Sequence, residues 1–179
     1  MRSTVLSFSL LSILGFGMLS GCSTENKSPD VSGQIRNSLD QAGLKNVSVS
    51  QDREKGVVTL KGSTMSDSDK AQAESIAKSI ATSQVVANEI AVRPPGDEST
   101  ARKVESDTDK GIKKNLDAVL ISHRLDNDVK YEVKNGVITL TGKVNSQSQR
   151  KAVQQLAAGV PNVRQVVNEL KVTNQKASS

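Results

Sequence analysis

Aromatic side chains are nearly absent from this chain. Its 179 residues include no Trp, one Tyr (Tyr131) and two Phe, and both Phe8 and Phe16 fall within the first twenty positions. Recognition of unpaired bases by stacking on aromatic platforms is thereby excluded. An aromatic cage for a cation or a sugar is excluded as well. Cys22 and His123 are the single members of their types. A zinc site takes three or four protein ligands, which one His cannot supply. There is no GxSxG elbow, GxxxxGK[ST] loop, HExxH helix or EF-hand loop. The expectation is a non-enzyme with no catalytic residue, metal or cofactor, and with neither nucleic acid nor a small-molecule substrate as partner.

Long hydrophobic runs are missing but for one. Val5 to Leu19 is apolar, follows the basic Arg2, and is broken by Ser7, Ser9, Ser12, Gly15 and Gly17. It falls short of the roughly 20 apolar residues of a membrane span. Residues 1–21 therefore read as a secretory signal peptide. Leu19-Ser20-Gly21-Cys22 resembles the bacterial lipobox. That resemblance implies cleavage before Cys22, a diacylglycerol on its thiol and an acyl chain such as palmitate on the new amine. A lone Cys has no partner for an intrachain disulfide. Each buried acyl CH₂ contributes about 0.8 kcal/mol, so three chains anchor firmly. Ser23 resembles the default for sorting to the outer membrane. The implied location is the periplasmic face of the outer membrane.

The rest of the chain contains a duplication. Gly56–Val92 aligns without gaps on Gly136–Val172, and 12 of 37 positions are identical. Gly-Val-x-Thr-Leu-x-Gly recurs at 56–62 and 136–142, and Val-x-Asn-Glu-[Ile/Leu]-x-Val recurs at 86–92 and 166–172. The division expected is a flexible tether at 22–29, a first unit at 30–93, a linker at 94–107, a second unit at 108–173 and a disordered tail at 174–179. Arg93 to Ser99, with two Pro and a Gly, breaks both periodicities.

Each unit reads helix, strand, strand, helix, strand. In the second, Ile112, Leu116, Val119 and Leu120 follow helical spacing. Val129 to Val133 alternates like a half-buried strand, and Asn135-Gly136 signals a two-residue type I′ hairpin. Gly142 is expected to end the next strand, and Ser146 with Gln149 forms a capping box. Val153, Leu156, Ala157 and Val160 line the second helix, which Pro161-Asn162 stops. The first unit follows the same plan with a hairpin about two residues longer. Its core is smaller, because Ala73 stands where the second unit has Val153; the first unit is expected to be the less stable. The last two strands of each unit flank a helix and should run parallel. The fold class is α+β: two tandem αββαβ sandwiches, each a three-stranded mixed sheet with two helices on one face.

These two copies, with their Gly-Val-x-x-Leu-x-Gly hairpins and final Val-x-Asn-x-[Leu/Ile]-x-Val strands, resemble the BON domain family. Gly159-Val160-Pro161-Asn162-Val163 is similar to the family's Gly-Val-x-x-Val turn, whereas Ser79 to Ser83 lacks its Gly. With the lipobox, the plan resembles dual-BON outer-membrane lipoproteins, which are implicated in phospholipid binding and envelope integrity. A soluble branch of the family is chaperone-like. The resemblance implies a non-catalytic protein.

Charge is uneven. Residues 23–100 carry nine Lys/Arg and eleven Asp/Glu, and residues 101–179 carry fourteen and eight. On the first helix of the second unit, a wheel at 100° per residue groups Ile112, Leu116, Val119 and His123. Ile121 falls opposite, near Lys110 and Lys114, with Arg124 and Lys113 to one side. An exposed Ile among basic side chains suits shallow insertion into an anionic membrane surface, where each basic residue contributes about 1 kcal/mol. Lys110, Lys113, Lys114, Ile121 and Arg124 are the candidate contact residues, and an anionic phospholipid membrane is the expected partner. The alternative partners are other envelope proteins. His123 is expected to pack or to cap its helix, Asn88 and Asn168 to make structural hydrogen bonds to a loop, and Tyr131 to pack in or beside the sheet.

Overall fold

The computed structural model describes residues 27–96 and 98–173. The signal segment 1–21, Cys22, most of the tether and the tail 174–179 lie outside the described residues.

The first unit comprises α1 (Ser32–Gln41), β1 (Val47–Asp52), β2 (Val57–Thr64), α2 (Asp67–Ile80), β3 (Val85–Asn88) and β4 (Ala91–Val92). The second repeats it as α3 (Glu98–Ser122), β5 (Val129–Lys134), β6 (Val137–Val144), α4 (Gln147–Ala158), β7 (Gln165–Asn168) and β8 (Lys171–Val172). β1 pairs antiparallel with β2, and β3 and β4 both pair parallel with β2; β5 to β8 do the same around β6. The expected third strand of each sheet is thus two short strands, so each sheet has four. The break falls inside the repeated Asn-Glu-[Ile/Leu] motif. Asn88 Oδ1 accepts the Ile90 N–H, and its Nδ2 donates to the Lys70 carbonyl and the Glu74 carboxylate. Asn168 does the same with Leu170, Arg150 and Gln154. Both Asn are structural, and they tie the break to the helix above it, not to a loop.

The turns follow from residue type. Asn135 and Gly136 take φ of 49° and 77°, as a type I′ turn requires. Four residues separate β1 from β2, against two between β5 and β6. Ser66 and Ser146 each cap a helix by accepting the N–H three residues on, at 3.1 Å in both. Gly142 does not end its strand, since β6 continues to Val144. A Cβ there would lie 2.2 Å from the Asp128 carbonyl oxygen, and at Gly62 2.0 Å from that of Asn46. Both positions need Gly because another backbone crosses against them.

Each core lies between one sheet face and its two helices. Ile35, Leu39, Val47, Val58, Leu60, Ala73 and Ala77 fill the first; Ile112, Leu116, Ile138, Leu140, Val153 and Ala157 fill the second. The other faces of the two sheets meet each other. Val57 and Ala87 pack against Val137 and Val167, their equivalents in the repeat. The polar contacts around this seam follow the same approximate two-fold relation. Lys55 Nζ meets Glu169 Oε2 at 2.7 Å, and at the equivalent positions Asn135 Nδ2 donates to the Glu89 carbonyl at 2.6 Å. A self-complementary patch is what duplication of one surface produces.

Two boundaries differ from expectation. α3 begins at Glu98, so most of the stretch read as a linker is helix. Ser28 and Pro29, read as tether, are tied down: Ser28 exchanges hydrogen bonds with Arg53, and the Pro29 carbonyl accepts from Gln51 and Gln84.

Candidate functional site

α3 presents two opposed sides. Ile112, Leu116 and Leu120 are buried against the second sheet. Lys110, Lys114 and Ile121 are exposed on the other, with Ile121 61% exposed, and Lys113 is exposed between the two sides. Twelve helical steps at 1.5 Å span about 18 Å, so Lys110 to the end of the helix at Ser122 forms a stripe of about that length.

The helix ends in a Schellman motif. Leu125 N–H bonds the Leu120 carbonyl at 2.9 Å and Arg124 N–H bonds that of Ile121 at 3.0 Å. Arg124 therefore lies beyond α3 with φ 55°, where the helical wheel no longer applies, and is exposed. α1 ends in the same way, with Gly43 at φ 79° and the Leu44 N–H on the Leu39 carbonyl. His123 occupies the cap position of α3, but its side chain is exposed and does not pack.

Sequence reasoning missed an acid in the stripe. Asp117 lies between Lys113 and Ile121 on the same side, and its carboxylate accepts a short hydrogen bond from the Tyr131 hydroxyl. That hydroxyl also lies 3.3 Å from the Lys113 carbonyl. Tyr131 is half-buried beside the second core. Burial first, and then the Asp117 charge, push its phenol up to about 12. Asp117 keeps its negative charge in this bond, and Lys110, Lys113, Lys114 and Arg124 outnumber it. Lys113, Lys114 and Arg124 make no ion pair among the described residues. Lys110 pairs with Asp107 at 3.2 Å, with both groups well exposed. Such a pair contributes little and is screened by salt.

The start of α3 adds further cations. Arg93, Arg102 and Lys134 join Lys110 and Lys113 around a groove of about 350 Å³. Glu105 and Asp109 also border it, but Glu105 pairs with Arg93 at 3.3 Å and Asp109 accepts the Asn135 and Gly136 N–H groups. Arg102 lies in the stretch that reads as linker, so its place on the helix appears only in the structure. Arg93 and Lys134 reach the groove only through tertiary structure. At the seam, burial holds the Glu89 carboxyl above its ordinary range despite Lys61 at 3.7 Å. The Glu169 hydrogen bond holds the Lys55 ammonium above its own. Among the described residues there is no cluster of acidic, His and Cys side chains fit for a metal, and no helix long and apolar enough to cross a membrane.

Residues 28–94 and 108–174 each match the BON domain. The chain is 28% identical over 135 residues to Osmotically-inducible protein Y of Escherichia coli (strain K12), an alignment covering 74% of this chain and 66% of that protein. Solved structures of CdsD, a structural protein of the type III secretion system of Chlamydia trachomatis, align at 18% identity. The C-terminal domain of CdsD covers 79% of this chain and 65% of its own with a TM-score of 0.31, and a second CdsD structure covers 79% and 61% with a TM-score of 0.32. With both of its units matched along their full length, the chain belongs to the BON domain family.

Proposed function

We propose that this is a non-catalytic periplasmic protein, held at the outer membrane by a lipid on Cys22, that binds anionic phospholipid and supports envelope integrity. One observation carries the reading: Ile121, 61% exposed, stands at the end of a basic stripe on α3. An aliphatic side chain gains from entering the acyl region, while Lys and Arg extend their charged ends to the phosphates. With about 1 kcal/mol per basic residue near an anionic surface, Lys110, Lys113, Lys114 and Arg124 give binding that is reversible without the lipid anchor. The location rests on the signal segment and the lipobox.

Flotation of the unlipidated chain starting at Ser23 tests this. It should rise with vesicles containing phosphatidylglycerol, stay down with phosphatidylcholine alone, and dissociate as salt is raised. Equal failure to float with both vesicles would favour the alternative in which the partner is another envelope protein.

A further inference from the structure

The two units meet at the seam and at the connection between them. At the seam, Val57 and Ala87 of the first unit pack on Val137 and Val167 of the second. Lys55 Nζ lies 2.7 Å from Glu169 Oε2, Gln165 bonds the Val86 carbonyl and the Asn88 N–H, and Asn135 donates to the Glu89 carbonyl. At the connection, Arg93 pairs with Glu105 at 3.3 Å. The first turns of α3 bury little there. Val104 is 60% exposed, and a cavity of about 430 Å³ lies between Ala101 and Val104 on one side and Val92 and Pro94 on the other.

β4 ends at Val92 and α3 begins at Glu98, with Pro94, Pro95 and Gly96 between them. Pro94 precedes a proline and is held to extended backbone. Gly96 takes φ of 92°, which glycine adopts freely, so the chain can straighten at this residue without strain. Opening there breaks no helix or strand.

The seam joins unlike partners. Asn135 stands in the second unit where the first has Lys55, and Val85 stands in the first where the second has Gln165. Two first units facing each other would lack the Gln165 bridge, and two second units would leave Glu169 without an ammonium group. A first unit is therefore completed by a second unit. None of the seam contacts requires that second unit to belong to the same chain.

We propose that the partner of the seam face is a second copy of this chain, docked by exchange. The first unit of each chain pairs with the second unit of the other, and Pro94 to Gly96 open to span the pair. Each copy supplies Glu169 and Gln165 to the other's first unit. The seam contacts are the same in both forms, so their energies cancel. The balance is set by the effective concentration of the two units within one chain, on the order of millimolar for a short linker. This does not rest on the membrane-contact reading.

Charge exchange across the seam tests it, in the chain starting at Ser23. Lys55→Glu sets two carboxylates against each other within one chain, and Glu169→Lys sets two ammonium groups. Unfolded together and refolded in equal amounts, the two variants restore both opposite-charge pairs only in an exchanged dimer. Native mass spectrometry at about 0.1 mM, below the effective concentration, should show a mixed dimer at least tenfold more abundant than the dimer of either variant alone. A mixture of folded variants with no more dimer than its components would overturn the proposal. Should Glu169→Lys fail to fold, its side chain being only 10% exposed, the parent chain reads the same exchange. Nitrogen-15-labelled and unlabelled parent refolded together at about 2 mM should form dimers of mixed label, and refolding below about 0.1 mM should return monomers. Parent chains that stay monomeric at the higher concentration would overturn the proposal equally.

Discussion

The side-chain amide of Gln165 completes the sheet edge at Val86. Its Nε2 donates to the Val86 carbonyl at 2.7 Å, and its Oε1 accepts the Asn88 N–H at 3.1 Å. One side chain of the second unit thus occupies the two groups that an additional strand would take. It satisfies an edge that would otherwise be open to pairing with another chain. The equivalent position in the first unit is Val85, which is 48% exposed and makes no such bridge. Gln165→Ala should cost about 1–2 kcal/mol, the penalty for a donor and an acceptor left without their partner at a partly buried site. The urea midpoint should fall with an unchanged slope.

Gly142→Ala should be severely destabilising. The added Cβ would meet the Asp128 carbonyl at 2.2 Å, at a φ of +117° that side chains avoid. The combined strain and clash should cost about 3 kcal/mol or more. Gly62→Ala should behave alike, because the Asn46 carbonyl oxygen lies 2.0 Å from its Cβ position. Gly159→Ala is the control. Its nearest contact is 3.5 Å and its φ is −79°, so its midpoint should stay within about 0.5 kcal/mol of the parent or rise.

Arg124 allows stability and membrane contact to be separated. It holds a left-handed conformation at the end of α3 that Gly43 holds at the end of α1. Arg124→Gly should raise stability by about 0.5–1 kcal/mol. It should also weaken flotation with anionic vesicles, because a basic group beside Ile121 is lost. A variant that is both more stable and a poorer binder would show that Arg124 serves the surface and not the fold. Unchanged flotation would remove it from the contact residues.

Tyr131 is the only Tyr in a chain without Trp, so its ionisation can be read directly by absorbance near 295 nm. The midpoint should lie at about 12, against an ordinary value of 10.0. Asp117→Asn should bring it down, because the neighbouring negative charge is removed. The native state keeps a proton that the unfolded chain releases near pH 10. This contribution to stability is therefore complete below pH 10 and is lost as pH rises towards 12. A wild-type midpoint at 10 would mean that the bond to Asp117 does not persist in solution.

Much of each unit was legible because its signals are local. Asn135-Gly136 specifies a hairpin by its own φ preferences, Ser66 and Ser146 cap the next helix, and the alternation in Val129 to Val133 sets which side chains face the helices. Features made by tertiary contact were not legible. Glu98 to Asp107 reads as polar linker because it buries almost nothing, yet i,i+4 pairing of Glu98 with Arg102 supports its helix. The strand break at Asn88 and Asn168 lies within continuous β-like patterning and arises from hydrogen bonds to α2 and α4. Gly142 looks like a terminator until the Asp128 backbone is seen across it. The seam between the units packs Val57 and Ala87 on Val137 and Val167 and is bordered by Gln165, Asn135, Lys55 and Glu169, and the pairing of these residues across two units leaves no local signal. In the candidate contact face, Lys110, Lys113, Lys114 and Ile121 are all exposed. The helical wheel could not place Arg124 beyond the helix end, and it gave no sign that Tyr131 occupies Asp117.

The central claim is that the second unit meets anionic lipid through α3. The most direct measurement compares flotation of the chain starting at Ser23 with that of Lys113→Glu, Lys114→Glu, Arg124→Glu combined, on phosphatidylglycerol vesicles at low salt. Reversing three exposed charges changes the local charge by six and disturbs no buried contact, so the melting curve should remain close to that of the parent. The account predicts that the parent floats and the triple variant does not. Equal flotation of a folded triple variant would contradict it.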